Sequence, residues 1–285
     1  MRFLQMPDGT PMPALGLGTW RMGESTANRK AEVAAVRTAI ELGYRLIDTA
    51  EMYGEGGAEE VVGQAVAEAL RSGALRREEL IVVSKVYPQH ASRLGTAAAC
   101  ERSRRRLGLD CIDLYLLHWR GEVPLGETVA ALQALVRAGH IRHWGVSNLD
   151  TDEMDELQAL SADGPGCATN QVYYSLKERG PEFSLLPWMR SHAMPLMAYS
   201  PIDQGRIAAD PTLAGIGRAR GLSAVQIALA WVTSQPGVMA IPKAASAQHL
   251  RQNLDAAELS LTADERRVIE ARFAAPRSKS PLAMI

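Results

Sequence analysis

Short apolar runs alternate along the chain with longer segments in which apolar residues are spaced three or four positions apart. The runs are too short for typical helices, and several are apolar on both faces, which is typical of parallel strands buried on both sides. In the longer segments, a spacing such as that of Val33, Val36 and Ile40 predicts an amphipathic helix packed on a sheet. The eight predicted strands are residues 15–18, 45–47, 80–83, 112–117, 141–146, 168–170, 196–199 and 238–241.

Eight strands that each precede a helix predict an α/β fold of the (β/α)8 TIM-barrel type rather than an open, doubly wound sheet. No linker rich in Pro, Gly or Ser interrupts the rhythm, so we expect residues 1–285 to form a single barrel domain. Residues 3–8 and 10–14 surround Gly9, and Asp8-Gly9 is a turn signal that predicts an N-terminal β-hairpin closing the bottom of the barrel. Residues 203–211 and 274–285 are predicted loops, the second a flexible tail over one barrel end.

The composition is that of an ordinary globular protein and argues against several classes of function. The 285 residues include 31 Lys and Arg against 32 Asp and Glu, a net charge of −1, which disfavours a nucleic-acid partner. The chain has no apolar stretch approaching the roughly 18 residues of a membrane span, so we expect no membrane partner. Residues 1–5 also lack the pattern of a signal peptide.

Cysteine and histidine positions give further expectations. Cys100, Cys111 and Cys167 are odd in number and lack CxxC spacing, which predicts reduced thiols in a cytoplasmic protein. His140 and His143 would point to opposite faces of a strand, so no metal site is predicted. The chain shows no heptad pattern or large apolar stripe, and a monomer is therefore the default expectation.

Polar side chains follow the predicted strands at the points where the strands end. In a TIM barrel these strand ends form the functional face, so we expect the side chains to converge on one rim. Taken singly, each would usually be a solvated or structural residue, but together they indicate a site. They are Asp48, Lys85, His118, Ser147, Asn148, Gln171, Tyr199, Ser200 and Lys243.

Asp48, Tyr53, Lys85 and His118 form a set suited to delivering a proton to an oxygen that gains negative charge. A free tyrosine has a pKa near 10, and a neighbouring ammonium is expected to lower it by roughly one to three units. Asp48 would keep Lys85 charged and oriented, and His118 would donate to a carbonyl oxygen. The set contains no pair of nucleophile and base of the Ser–His type, which makes acyl transfer less attractive.

The same residues lie in segments that resemble the signatures of the aldo-keto reductase family. These segments are 48–54 (DTAEMYG), 84–85 (SK), 116–119 (LLHW), 145–148 (GVSN), 170–172 (NQV), 198–201 (AYSP) and 241–243 (IPK). They occur in the family's order, and the resemblance runs from about Gly16 to Asn253. The chain is most similar to bacterial members that reduce small aldehydes, including methylglyoxal reductases.

The resemblance implies a reductase that moves a hydride from a nicotinamide cofactor to an aldehyde or ketone. Tyr53 would be the general acid, Lys85 and Asp48 its tuning partners, and His118 the group that orients the carbonyl. Tyr199 would stack on the nicotinamide ring, a role that suits a flat aromatic side chain.

The resemblance also implies two sets of binding residues. The cofactor set is Gly18, Thr19, Trp20, Asp48, Ser147, Asn148, Gln171, Tyr199, Ser200, Pro201, Ile202, Lys243, Ser246, His249 and Asn253. The substrate set is Trp20, Tyr87, His118 and Trp119, although its aromatic members could equally pack against neighbouring loops. The expected substrates are small carbonyl compounds, either methylglyoxal-like or aromatic aldehydes.

One departure from the family pattern concerns the choice of cofactor. Members that prefer NADP usually carry Arg where this chain has His249, and Ser or Thr where it has Ala244. Arginine is a permanent phosphate partner, whereas histidine is only partly charged at neutral pH. Because Lys243 and Ser246 remain, we expect NADP(H) to be the cofactor, with reduced discrimination against NAD(H).

Two other functions fit the same barrel. Lys85 could act as a Schiff-base nucleophile in an aldolase-like lyase, although a paired Asp48 would keep it protonated and non-nucleophilic. The chain could also be a non-catalytic, nicotinamide-binding regulatory module, because a fold alone does not determine function.

Overall fold

The computed structural model describes residues 2–161 and 166–285 of the chain. Its strands are β1 Phe3–Gln5, β2 Pro11–Pro13, β3 Leu17–Gly18, β4 Leu46–Asp48, β5 Ile81–Val86, β6 Ile112–Leu117, β7 Ile141–Ser147, β8 Cys167–Tyr173, β9 Leu196–Tyr199 and β10 Val238–Ala240. Strands β1 and β2 form an antiparallel pair, and β3 to β10 form one eight-stranded sheet. All eight strands predicted from the apolar runs are therefore present.

The eight-stranded sheet closes into a barrel. Neighbouring strands pair in chain order and in parallel. Parallel bridges from Leu15 to Ala240 and from Gly18 to Lys243 join the first strand region to the last. Because all strands run the same way, their carboxyl ends meet at one rim. The predicted (β/α)8 barrel is confirmed.

Helices pack around the barrel between successive strands. They are α1 Arg29–Glu41, α2 Gly57–Arg71, α3 Arg93–Leu107, α4 Leu125–Arg137, α5 Thr151–Leu160, α6 Leu185–Ser191, α7 Pro211–Arg220, α8 Ala224–Thr233, α9 Ala247–Glu258 and α10 Ala263–Arg272. Two helices rather than one follow each of β9 and β10. None of the helices in the described part of the chain has the length and hydrophobicity needed to cross a bilayer.

Side-chain caps fix the start of several helices. The Asp210 carboxylate accepts hydrogen bonds from the main-chain nitrogens of Thr212 and Leu213, 3.0 and 3.1 Å away, at the start of α7. Ser223 and Gln226 form a reciprocal capping box at the start of α8. Such caps satisfy main-chain N–H groups that have no partner within the helix, and they hold these helix starts in place.

The β1–β2 hairpin fills the bottom of the barrel. Its turn places Gly9 at φ +86°, where only glycine avoids a steric penalty. Met6 and Met12 are buried in the barrel interior, in a cluster that includes Leu46 and contacts Ile81, the first residue of β5. The predicted closing hairpin is confirmed, and the opposite rim is left for a site.

Several strands run further than their apolar runs predict. Asp48 is the last residue of β4, Lys85 lies inside β5, and Ser147 ends β7. Gln171 lies inside β8, in register with Ser147. These polar residues continue the strands because each finds hydrogen-bond partners inside the barrel, which a hydrophobicity pattern does not reveal.

Two predicted loops also differ from the structure. Most of the predicted loop at 203–211 is helical, because Asp203–Ala209 forms 3₁₀ turns and Pro211 begins α7. Residues 274–285 contain no helix or strand, as predicted, but Lys279 ties this tail to α5 through contacts of 3.5 Å with Asp150 and 3.3 Å with Asp152. The tail therefore lies across the rim in a definite position.

Candidate active site

A cavity of about 900 Å³ opens at the rim where the parallel strands end. Most of the residues predicted from the sequence line it, although they come from segments scattered over the whole chain. They are Gly18, Trp20, Asp48, Tyr53, His118, Trp119, Ser147, Asn148, Gln171, Tyr199, Ser200, Pro201, Ile202, Lys243, His249 and Asn253. The predicted convergence of strand ends is thus a feature of the structure.

Four predicted residues are not among those that line the cavity. Thr19 is buried, and its Oγ1 donates to a main-chain oxygen of β4 over 2.9 Å. Ser246 caps α9 by accepting a hydrogen bond from the main-chain nitrogen of His249, 3.2 Å away. Tyr87 packs edge-on against Trp119, with ring centroids 6.0 Å apart, so it supports the cavity wall from behind. The fourth, Lys85, lies under the cavity floor.

Lys85 connects three groups beneath the cavity floor. Its Nζ lies 2.8 Å from Asp48 Oδ2, 2.9 Å from the main-chain oxygen of Thr49 and 3.3 Å from Tyr53 Oη. An ammonium has three N–H groups, so each of these acceptors takes one of them. Because Tyr53 Oη accepts from Lys85, the proton on the Tyr53 hydroxyl is free to be donated elsewhere.

The Asp48–Lys85 pair is buried, and burial acts on both partners. Burial raises the pKa of Asp48, while the charge of Lys85 and the amide of Gln171 oppose that rise. Burial lowers the pKa of Lys85, and the Asp48 carboxylate opposes that fall. Each charge therefore depends on the other, since either one alone would be an unpaired charge in the protein interior.

The pKa of Tyr53 moves in the direction opposite to the sequence-based prediction. Desolvation of the hydroxyl raises the pKa well above 10, and the negative charge of Asp48 raises it further. The expected lowering by Lys85 is wrong for this structure, because burial of the hydroxyl and the nearby Asp48 carboxylate both disfavour the charged phenolate. Tyr53 therefore keeps its proton at neutral pH, which suits a proton donor better than a base.

His118 is a neutral imidazole beside Tyr53. Burial, together with the positive charge of Lys85, holds its pKa well below 6.5. The rings of Tyr53 and His118 meet edge-on, with centroids 5.7 Å apart. In the described part of the structure Nδ1 is buried without a hydrogen-bond partner. We assign the ring proton to Nε2, because an unpartnered acceptor costs less than an unpartnered donor.

A network of hydroxyl and amide groups forms the wall next to Asp48. Ser147 Oγ donates to the main-chain oxygen of Gln171 at 2.7 Å and accepts from Asn148 Nδ2 at 3.0 Å. Tyr199 Oη donates to Asn148 Oδ1 at 3.0 Å. Gln171 Nε2 donates to Asp48 Oδ1 at 2.8 Å. This wall therefore offers fixed polar groups that can orient a planar amide.

Tyr173 supports the ring of Tyr199 and was not predicted. The two rings are stacked, with centroids 5.8 Å apart and planes 17° apart. Tyr173 Oη donates to Asp203 Oδ1 over 2.7 Å, which ties the stack to the segment that follows β9. The alternation of side chains along a strand could have indicated this residue, because Tyr173 lies two positions after Gln171 and shares its face.

The other end of the cavity is polar and basic. Lys243 follows β10 and is exposed, and His249 is exposed in the first turn of α9. Asn253 is buried one turn further along the same helix. The start of a helix attracts anions through its free N–H groups and its dipole, and Lys243 adds a positive charge nearby. This end of the cavity therefore suits phosphate.

Further lining residues were missed by the sequence analysis. Arg21 follows Trp20, and its guanidinium lies 4.5 Å from the centre of the Trp20 ring. Met284 and Ile285 come from the tail, and no local pattern connects them to the rim. Other lining residues outside the predicted set include Met52, Gln204, Ser223, Gln226, Ile241 and Gln252.

Comparison with known proteins defines the class of this protein. The sequence profile of the Aldo/keto reductase family matches residues 14–272. The chain therefore belongs to the aldo/keto reductase family, and the resemblance found in its motifs is confirmed.

Individual relatives are similar over nearly their whole length. The methylglyoxal reductase YeaE of Escherichia coli is 48% identical over 289 residues, covering 100% of this chain and 99% of the relative. The glyoxal reductase of Bacillus subtilis is 33% identical and covers 94% of this chain and 91% of the relative. A crystal structure of an aldo/keto reductase from Klebsiella pneumoniae in complex with NADP and acetate is 48% identical, with a TM-score of 0.93 and 99% of each chain covered.

Proposed function

We propose that this protein reduces small aldehydes and ketones to alcohols with NADPH as the hydride donor. The observation that carries the proposal is the chain of contacts from Asp48 through Lys85 to the Tyr53 hydroxyl at the cavity floor. These contacts place a charged ammonium beside a phenol whose proton is free to be donated. The ammonium stabilises the phenol oxygen when the proton leaves. The similarity to a methylglyoxal reductase and to a structure with bound NADP supports the same function.

The residues of the cavity fit a nicotinamide dinucleotide. Tyr199 offers a flat ring face, and the wall made by Ser147, Asn148 and Gln171 offers donors and acceptors for a carboxamide. Lys243 and the start of α9 suit the phosphates at the other end. When bound, NADPH supplies the hydride that reduces the carbonyl carbon. The remaining predicted residues are assigned to the same binding role. Gly18, Trp20, Asp48, Ser200, Pro201 and Ile202 line the cavity between the two ends, His249 and Asn253 lie at the phosphate end, and Thr19 and Ser246 act from outside the lining.

Tyr53 donates the proton to the carbonyl oxygen in this proposal. Its raised pKa keeps it protonated until the oxygen gains charge. The contact of 3.3 Å from Lys85 Nζ then stabilises the phenolate that remains. Asp48 acts through Lys85, because it keeps the buried ammonium charged and pointed at Tyr53.

His118 orients the carbonyl group. A neutral imidazole with its proton on Nε2 is a hydrogen-bond donor that carries no charge of its own. It can therefore fix the carbonyl oxygen near Tyr53 Oη without competing for the role of acid. The edge-on contact of the two rings keeps both donors directed at one small volume.

The substrate is a compact carbonyl compound. Trp20, Trp119 and Met52 line the cavity, and Tyr87 backs Trp119. Aromatic and apolar walls suit methylglyoxal-like compounds and simple aromatic aldehydes. The names of two relatives, a methylglyoxal reductase and a glyoxal reductase, agree with this substrate class.

NADPH is preferred over NADH, but not strongly. Lys243 supplies a positive charge for a phosphate, whereas position 249 carries histidine where arginine, a planar bidentate phosphate partner, is usual. We therefore expect kcat/KM to be higher with NADPH than with NADH, by a modest ratio. A strong preference for NADH would contradict this assignment.

The Schiff-base alternative receives no support from the geometry. Lys85 is fully buried under the cavity floor, and its three N–H groups are all engaged. A nucleophilic amine needs a free lone pair and access to the substrate, and Lys85 has neither in this arrangement.

We further propose that the chain acts as a cytoplasmic monomer in one barrel unit. Its three cysteines are free thiols, which suits a reducing compartment. Size-exclusion chromatography with light scattering is expected to give a mass near 30.9 kDa. A mass of twice that value would contradict the monomer.

The test of the proposed function is a steady-state assay with a matched variant. Purified protein is mixed with NADPH and a panel containing methylglyoxal and simple aromatic aldehydes, and loss of NADPH absorbance is followed. Tyr53→Phe keeps the ring but removes the proton, so kcat is expected to fall by about 10²- to 10⁴-fold. NADPH binding by the variant, measured by fluorescence, should stay near that of wild type. Near-wild-type turnover by Tyr53→Phe, or a wild type that leaves NADPH unchanged with the whole panel, would contradict the proposal.

A further inference from the structure

We propose that Gln171 is a positioning residue that holds the Asp48 carboxylate in the orientation in which Lys85 can serve Tyr53. The inference rests on the proposed function and gives Gln171 a second task besides contact with the cofactor. The two residues are 123 positions apart in sequence. They lie on β8 and β4, four strands apart in a ring of eight, so their side chains meet across the barrel interior.

Both oxygens of the Asp48 carboxylate are held, each by a different donor. Gln171 Nε2 lies 2.8 Å from Oδ1, and Lys85 Nζ lies 2.8 Å from Oδ2. Only the nitrogen of the Gln171 amide can donate to a carboxylate, so this contact fixes which way the amide faces. Gln171 is itself anchored, since its main-chain oxygen accepts from Ser147 Oγ at 2.7 Å and from the nitrogen of Asn148 at 2.9 Å.

Loss of the Gln171 donor would leave Oδ1 of Asp48 as a buried charged oxygen without that hydrogen bond. The carboxylate could then turn so that both oxygens face Lys85. The ammonium has only three N–H groups, and all three are engaged in the present arrangement. If Lys85 made a second hydrogen bond to Asp48, it would lose its hydrogen bond to Tyr53 Oη. Gln171 therefore supports the proton donor through two intermediate residues.

Among residues 2–161 and 166–285, the charged and titratable groups recorded around these contacts come from four elements of the barrel and one helix. Lys85 on β5 and Tyr53 after β4 belong to it, and His118 after β6 faces both of them as a neutral ring. Tyr53 acts at longer range on Tyr199 of β9, and Glu59 on α2 acts on Lys85 from outside the barrel. None of these is the donor to Oδ1.

Gln171→Glu tests the inference through its pH dependence. A second carboxyl at this position shares one proton with Asp48 at low pH and repels it at high pH. We expect kcat of the variant to be close to that of wild type at about pH 5 and to fall by tenfold or more relative to wild type by about pH 8. Asn148→Asp is the matched control, because it makes the same change next to Ser147, Tyr199 and the main-chain oxygen of His118 without contact to Asp48. It is expected to weaken NADPH binding and to add no new step to the pH profile of kcat.

Gln171→Met removes the donor at every pH. Its kcat at saturating NADPH is expected to fall by about ten- to a hundredfold, with no added pH dependence, because a hydrogen bond to a buried charge is lost. A role limited to the cofactor would raise only the Kd for NADPH and leave kcat at saturation unchanged.

A second readout needs neither cofactor nor turnover. In Gln171→Glu the shared proton raises the pKa of the carboxyl pair in the folded protein above its unfolded value. Stability from that proton is present at low pH and is lost as the pH rises, so Tm relative to wild type should fall between about pH 5 and about pH 8. The inference is overturned if Gln171→Glu follows wild type in both profiles, or if Gln171→Met changes only the Kd for NADPH. A wild type that does not consume NADPH would instead overturn the proposed function, and the Tm profile would still test the contact between Gln171 and Asp48.

Discussion

Replacing Lys85 with Met measures how much the buried ammonium contributes to the stability of the protein. Methionine has a similar length, but it leaves Asp48 Oδ2, the Thr49 carbonyl and Tyr53 Oη without their donor. Removing one partner of a buried ion pair costs about 3–5 kcal/mol of unfolding free energy. For a chain of this size each kcal/mol lowers Tm by about 2–4 °C, so the expected drop is about 6–20 °C.

The size of that loss should depend on pH. Burial already raises the pKa of Asp48, and removal of Lys85 raises it further above the unfolded value. A protonated Asp48 needs no ion-pair partner, so the variant is least impaired at low pH. Its Tm deficit relative to wild type is therefore expected to grow as the pH rises from about 5 to about 8.

A double-mutant cycle with Asp48→Asn separates the lost pair from other effects of Lys85→Met. The double variant carries no unpaired charge, so its loss of unfolding free energy, measured by urea denaturation, should be clearly smaller than the sum of the single losses. The kcat of the double variant should stay about 10²- to 10⁴-fold below that of wild type, because Tyr53 still lacks the neighbouring ammonium. Additive stability losses, or a Tm deficit that does not change with pH, would refute the reasoning.

Three further predictions address the β1–β2 hairpin, His118 and the stacked rings of Tyr173 and Tyr199. Met12→Ala opens a cavity beneath the hairpin and should lower the free energy of unfolding, measured by urea denaturation, by about 2–5 kcal/mol while leaving kcat/KM near wild type. A changed KM without loss of stability would argue against the placement of Met12 at the bottom of the barrel. The pKa of His118 is held well below 6.5, so His118 should not titrate between about pH 6 and pH 8. The pH profiles of kcat/KM for wild type and His118→Gln should therefore have the same shape in that range; an inflection present in wild type and missing in the variant would contradict this. Tyr173→Leu removes the ring beneath Tyr199 and should raise the Kd for NADPH by about two- to tenfold, with Tyr173→Phe as the control that keeps the ring; equal Kd values for the two variants would contradict the support role.

The hydrophobic pattern predicts strands best where both faces are buried by apolar residues. The predicted bounds 112–117 and 196–199 agree with β6 and β9, whose residues are almost all apolar and buried. The prediction 168–170 covers less than half of β8, Cys167–Tyr173, because Asn170 and Gln171 interrupt the apolar run without ending the strand. Asn170 Nδ2 donates to the carbonyl of Leu149 over 2.7 Å, so its polarity is satisfied inside the fold. A buried polar residue with a distant partner looks, in sequence, like the end of a strand.

The same limit explains what the motifs could and could not predict about the site. The spacing of strand ends placed Tyr53, Lys85 and Asp48 at one rim, because the order of parallel strands follows the order of the chain. It did not predict the direction of the Tyr53 pKa, since that depends on how much water the surrounding walls exclude. The structure removes that water, and both the loss of water and the charge of Asp48 raise the pKa of Tyr53. A site that holds its phenol protonated in the absence of substrate is ready to give a proton, and it becomes a good donor only when a carbonyl oxygen gains charge beside it.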